Sequence, residues 1–535
     1  MKKIIILIPV LLLLLGSFLF QSDQFEQVNK ADEIALYKCT SQFPLQFPLG
    51  EMGTGKAILR EYNMEVYFQG RGSLKIPNDL FKNTPCVLRL NIANRLDTLP
   101  SAIKDLPHLK TLHLQDNYLN SIPYHAFKYN KELYLTQLGN NFLSSLNLET
   151  FKSIKTVNVS NNKITKVFPV VDFQENKITE LNISNNRLST LDLNVFRLIN
   201  TVNLSKNRIT KVLPIADNAT SFIQDLDLST NQLTRFPSGL VDLRNLNQLN
   251  LENNFIVLDD DFDELPFHYF HSIYSINMAN NDLQRFPEAF GNITGLHYLN
   301  LDKNQIKGTV RLSNFNRLPQ LEIKDQEVEK FIIEIASLDN LEELNFKNNQ
   351  IKIFEIKEEK PKIERLNLAG NKLKKLPQSI NQLTGLTNLN LSGNQLQQLP
   401  SLNALPNLET LNLSYNAFVV FPMIKDFYSN KTNIRLDLSH NSITIFDLDK
   451  VNEVVHTLKL SSNNITNLKN STSKSLPYLR ELDLSNNKNL RNFPIELFDY
   501  LNNLETLNLE NTSIDYFTKM MIEKSVHNKN ITVKF

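Results

Sequence analysis

Along most of this chain apolar residues return on a fixed schedule. LKTLHLQDNYLNSIP (residues 109–123), ITELNISNNRLSTL (178–191), IERLNLAGNKLKKLP (363–377) and LTNLNLSGNQLQQLP (386–400) share one frame. Each reads L-x-x-L-x-L-x-x-N-x-L-x-x-L, often with Pro next. Apolar residues alternating with polar ones around the fourth and sixth positions give the period of a strand with one buried face. Leucines at the first, eleventh and fourteenth positions turn inward from the rest of the coil. One such unit cannot enclose its own apolar side chains, so each must stack on its neighbours.

With the ninth-position Asn as marker, nineteen units run from Asn94 through Asn487 to a last one at Thr512. Gln326 and Thr512 take the marker's place in two weaker units. The spacing averages about 23 residues, with a local 24/21 alternation between Asn141 and Asn231. The sixth position is apolar in all nineteen units and the fourth in all but one, at Thr136. A buried amide is tolerable there only if it satisfies backbone groups at the turn, so the marker predicts a repeating ladder of hydrogen bonds.

The pattern resembles the leucine-rich-repeat family over about 80% of the chain, from near Val87 onward. The resemblance implies an α/β solenoid: a curved horseshoe of about 19 repeats with a parallel β-sheet on its concave face. Looser connections would form the convex side, some of the LPxxIxxLxx form (Leu376, Pro377, Ile380), others short helical turns. Residues 21–86 then form an N-terminal cap, 87–517 the solenoid and 518–535 a C-terminal cap.

Outside the repeats, Lys2 and Lys3 precede an uncharged apolar run, residues 4–20, and polar sequence follows. Residues 1–20 therefore read as a secretory signal or, if uncleaved, a signal anchor with the lysines left inside. The expected location is secreted, periplasmic or at the cell surface, with membrane contact only through that segment. In an exported chain Cys39 and Cys86, the only cysteines, read as one disulfide. Charge is nearly balanced, 57 basic against 56 acidic residues, which argues against a general nucleic-acid binder.

Candidate chemistry is sparse. GEMGTGKA (residues 50–57) nearly spells a phosphate loop, but Ala57 lacks the Mg²⁺-binding hydroxyl and FPLQFPL before it opposes a central strand. It reads as a glycine-rich turn. The acidic run at residues 259–264 departs from a calcium loop at Glu264 and Phe270. Phe267, Phe270 and Ile273 recur as convex-side core, which leaves His268 and His271 facing outward; the run reads as a solvated loop, as does KEEKPK (357–362). With no catalytic motif to set beside these, the chain reads as a non-enzyme without cofactor or metal.

The family's members generally bind proteins, sometimes peptides or glycans, on the concave face, where positions 3, 5, 7 and 8 are expected to meet solvent. Position 5 is mostly Asn and position 7 often Ser, the family's default residues. Departures from that background are the binding candidates: His113, Glu322 and Lys459 at position 5; Leu135, Tyr298, Glu343 and Arg365 at position 3; and Asp302, Lys303, Lys324, Lys347, Tyr415 and His440 at positions 7 and 8. The stretch from Tyr298 to Arg365 is the favoured cluster, since Tyr, Arg and His are common interface anchors. Asn158, Asn182, Asn203, Asn390 and Asn412 are each followed by x-Ser, so a glycosylating host would cover this face with sugar. A bacterial host fits better. The alternative function is an intracellular scaffold or signalling adaptor, which requires the apolar N-terminus to be an anchor with the repeats inside.

Overall fold

A computed structural model describes residues 56–60, 65–69, 76, 78, 80–82, 87–93 and 96–535, apart from 217–218, 313–314, 316–317, 334–339, 358–361, 424–432, 474 and 528. The apolar N-terminal segment, the Cys39–Cys86 pairing and Asn94 lie outside the described residues.

Each repeat contributes one short strand at positions 3 to 5, and with strands at both ends these join into a sheet of 22 strands among the described residues. The sheet opens with an antiparallel hairpin, Lys56–Arg60 against Glu65–Gln69. Glu65–Gln69 then pairs in parallel with Arg89–Ile92, and every later neighbour is parallel, through Thr506–Asn508 to Thr532–Lys534. The region expected as an N-terminal cap thus supplies two strands of the same sheet. Lys56 and Ala57 of GEMGTGKA begin a strand, whereas a phosphate loop needs a helix to open at its lysine.

Register is set by burial. The fourth-position side chains Leu366, Leu389 and Leu411 lie opposite one another on successive strands and are almost fully buried. A shift of one residue would turn the whole apolar row to water. One continuous apolar core runs from Val66 to Val526.

A unit of about 23 residues leaves little chain for the return path, and the convex side is correspondingly tight. Ser101–Asp105, Ser238–Asp242, Glu288–Asn292, Gln378–Gln382 and Ile495–Asp499 are 3₁₀ helices, each directly after a proline. Proline suits that place because the first N–H of a helix has no partner to lose. Among the described residues the α-helices are Leu193–Phe196 and Tyr516–Val526. The longest unit, Asn254 to Asn281, absorbs its extra length in two 3₁₀ turns, Asp260–Glu264 and Phe267–Tyr269. Phe262, Phe267 and Phe290 pack there edge to face on Phe236, at centroid distances of 5.5–5.9 Å.

The 24/21 alternation has a structural counterpart in paired units. Ser145–Asn147 pairs with Lys166–Phe168, and Thr190–Asp192 with Lys211–Leu213; Ile445–Asp447 and Asn467–Lys469 repeat the device further on. After each first strand the chain enters a short helix capped by Asn147, Asp192 or Asp447, whose side chain accepts the N–H two residues on. Two residues past each cap comes a clasp onto the next unit. Glu149 accepts the Val171 N–H at 2.8 Å, Asn194 the Ala216 N–H at 2.8 Å, and Asp449 the Ser471 N–H at 3.0 Å.

Candidate functional site

The ninth-position amide fixes the frame on which the sheet face is built. From Asn117 to Asn487, each marker Asn donates to the sixth-position carbonyls of its own and the preceding unit, and accepts the eleventh-position N–H of the preceding unit. For Asn207 these are Leu204 and Ile183 at 3.0 and 3.1 Å, and the Leu188 N–H at 3.0 Å. Gln326 keeps the two bonds that reach the preceding unit, to the Leu301 carbonyl and from the Ile306 N–H. Thr512 keeps a bond to its own sixth-position carbonyl, Leu509, at 2.8 Å.

Position 5 has a local task too. The side-chain oxygens of Asn158, Asn182, Asn203, Asn390 and Asn412 each accept the backbone N–H two residues on, at 3.0–3.1 Å. That bond accounts for the repeated Asn as turn chemistry, and Asp227, Asp437 and Asp483 make the same bond. Position 8 is left-handed in every described marker unit, from Asp116 (φ 61°) to Asn511 (φ 56°), including Gly370 and Gly393. The doublets Asn-Asn, Asp-Asn and Gly-Asn in the sequence carried this signal, because Asn, Asp and Gly tolerate that conformation.

Position 7 corrects an expectation. It was expected to face solvent, yet Ser160, Ser205, Ala279, Ser414, Ser439 and Ser485 are buried there. The burial is not uniform: Ser184, Ser229 and Ser392 are half-buried, and Lys347 and Glu510 exposed, although the fifth side chain holds their N–H as well. Asp302 and Lys324, at the same position, are only half-buried.

Against this background the departures separate into groups. Tyr298, Asp302, Glu322 and Lys324 come together on two adjacent strands, Tyr298–Asn300 and Gln320–Glu322. The Lys324 ammonium lies 2.8 Å from Asp302 and 3.0 Å from Glu322, and its backbone N–H also bonds Asp302 at 2.7 Å. Burial raises the Asp302 carboxyl despite these bonds, and the Tyr298 hydroxyl is pushed up to about 12 by burial and by the charges of Glu322 and Asp302. The Lys324 ammonium is raised: burial opposes the shift, but the hydrogen bonds to Asp302 and Glu322 outweigh it. On the next strands Glu343 pairs with Arg365 at 2.9 Å, while Lys347 and Lys303 stand exposed.

The other candidates lie apart from this group. Tyr415 and His440, at position 8 of successive units, stack at 4.0 Å with an 8° tilt, and Tyr415 is 59% exposed. Lys459 is exposed on a strand beyond them. His113 and Leu135 are half-buried near the start of the sheet; burial lowers the His113 imidazole, against the pull of Glu65. In the acidic run, Asp259 pairs with Arg235 at 3.4 Å and Asp263 with Arg285 at 2.8 Å, while His268 and His271 point outward.

Sequence reasoning passed over Asp225 and Asp227. They share one strand of the same face, and burial raises both carboxyls, with Glu252 adding to the rise at Asp227. The signal was Asp-x-Asp where Thr/Asn or Glu/Asn is usual, masked because Asp at position 5 can replace Asn in its turn.

A family profile described as leucine rich repeat matches residues 361–419 and 453–514. No curated protein sequence matches the chain. Among solved structures, a leucine-rich-repeat protein of Leptospira interrogans is 22% identical, with 87% of this chain and 100% of that one covered and a TM-score of 0.50. YopM from Yersinia enterocolitica is 20% identical over 91% of this chain and 92% of its own, with a TM-score of 0.55. The Toll–Spatzle complex of Drosophila gives 19% identity, 73% and 52% coverage, and a TM-score of 0.55. At these identities the likeness is one of fold.

Proposed function

This chain is a leucine-rich-repeat protein, and from that premise we propose that it is a non-enzymatic recognition module, exported or membrane-anchored, that holds a protein partner on its sheet face. The network of Tyr298, Asp302, Glu322 and Lys324 carries this reading. Half-buried ion pairs contribute little to stability, since desolvation offsets most of their attraction. On an interface the same charges fix register and exclude wrong partners. Tyr298 within it, and Arg365 two strands beyond Glu322, are side-chain types that commonly anchor binding. A protein of the same fold is bound to a protein in the Toll–Spatzle complex, which supports the partner class.

A photoreactive residue placed at Lys347, exposed on the sheet face, tests the reading against one placed at Gln378 on the convex side. The expected result is a crosslinked partner from Lys347 alone, lost when Tyr298→Ala and Lys324→Ala are combined. Equal crosslinking from both positions would sink it. The exported location is tested by intact mass from the native source. Loss of about twenty residues, with a gain of two hydrogens on reduction, is expected; full length with free thiols would favour the intracellular scaffold.

A further inference from the structure

Where the chain leaves the sheet, the tenth residue of seven successive units forms a row: Tyr118, Phe142, Lys163, Arg187, Arg208, Gln232 and Phe255. Each N–H in the row bonds the eleventh-position carbonyl of the preceding unit, at 2.8–3.0 Å, which keeps the side chains in step. Tyr118 stacks on Phe142 at 5.5 Å, and the Lys163 ammonium lies 4.2 Å from the centre of the Phe142 ring. Tyr118 and Phe255, the two ends, are exposed. In the middle, positions 8 to 13 of three units (residues 161–166, 185–190 and 206–211) carry Lys163, Lys166, Arg187, Lys206, Arg208 and Lys211 and no acidic residue. All six are exposed, and no salt bridge among the described residues meets them, whereas Arg235 in the next unit pairs with Asp259. The Lys166 ammonium lies 4.7 Å from the centre of a further exposed ring, Phe168.

We propose that this flank is a docking surface for a bilayer that carries anionic lipid. Six unmet cations in a chain of 57 basic and 56 acidic residues make a local positive field that lipid phosphates relieve. The aromatic residues choose between anions. Tyr and Phe beside Lys and Arg settle at headgroup level, each with its apolar ring out of water. A soluble acidic polymer would meet the cations and leave Tyr118, Phe168 and Phe255 in water. Equivalent positions of stacked units also stand at one level, so a flat surface meets the whole row at once. The flank lies beside the sheet face, and lipid binding there stands or falls independently of a protein partner on that face.

The chain contains no Trp, so Phe255→Trp in the full-length protein gives one fluorescent reporter within the row, and Gln378→Trp gives one on the convex side. These reporters read the flank directly, whatever the N-terminal apolar run does with lipid. Vesicles of phosphatidylcholine mixed with phosphatidylglycerol should shift the emission of the first variant to the blue and leave the second unchanged. Phosphatidylcholine alone should shift neither. Lys163→Gln, Arg187→Gln or Arg208→Gln, each added to the Phe255→Trp reporter, should weaken vesicle affinity about fivefold, and high salt should release the protein. No shift with the mixed vesicles, an equal shift with phosphatidylcholine alone, or an affinity indifferent to the three Gln substitutions overturns the proposal. The same blue shift from soluble poly-glutamate overturns it as well, since the row would then take an acidic polymer.

Discussion

At the scale of single residues, Asn does two different jobs in one unit, and the two should differ in energetic weight. Asn207 is 7% exposed and bonds three carbonyls and one N–H. Asn203, four residues earlier, is half-buried and caps a turn through its side-chain oxygen. Asn207→Ala leaves buried backbone groups unpaired in two units and should cost ~3 kcal/mol, whereas Asn203→Ala should cost ~1 kcal/mol. Chemical denaturation of the two variants checks this; equal costs would mean that the ladder is no more than a turn. The ladder was legible because a polar residue recurs amid leucines at one fixed place. The left-handed eighth position was less so, because Lys206, Thr230, Lys303 and Tyr415 hold it as well as Asn and Gly do. Thr230 is the least suited of these, being β-branched.

At the scale of elements, the clasps of Glu149, Asn194 and Asp449 bind the outer strand pairs together and respond to acid unequally. Burial would raise the Glu149 carboxyl above its ordinary 4.5, but hydrogen bonds from Lys152 and from the Val171 and Asp172 N–H groups outweigh it and hold the group low. Thr472 chiefly holds Asp449 below its ordinary 3.8. A depressed carboxyl lends stability that is fully present above its unfolded value and is lost as pH falls through the folded one. Asn194 makes the same contact with no charge to lose. On acidification below about pH 4, hydrogen exchange should therefore quicken at Val171 and Ser471 before it does at Ala216. Glu149→Gln and Asp449→Asn should abolish that difference; parallel quickening at all three amides would refute the role. None of this was visible in the repeat pattern, because each clasp joins a residue of a short helix to an N–H about 22 positions on, past the next unit's outer strand, where the local sequence looks like any other. The strand at positions 3 to 5, by contrast, was readable from alternation alone. The candidate cluster fell between these cases. Departures from the consensus located Tyr298, Asp302, Glu322 and Lys324, but only the register of neighbouring strands shows that Lys324 reaches both acids.

At the scale of the whole molecule, the solenoid is a line of junctions, and its stability is close to a sum of nearest-neighbour terms. The junction at Gln326 is the odd one. Its longer side chain reaches back to Leu301 and Ile306, while no bond among the described residues holds it to the carbonyls of its own unit at Ile323 and Lys324, as Asn349 is held at Phe346 and Lys347. Under mild denaturant, exchange protection should fail first between Leu321 and Gln326, with the arms on either side still protected; uniform protection along the array would contradict this. The ladder also has a direction. Each marker Asn from Asn117 to Asn487 serves the backbone of the unit before it as well as its own, and among the described residues none serves the one after. A chain made from its N-terminus therefore emerges with its newest coil always unfinished, two backbone groups waiting for a side chain not yet synthesised. The leading end of the nascent array therefore stays soft until the next repeat arrives.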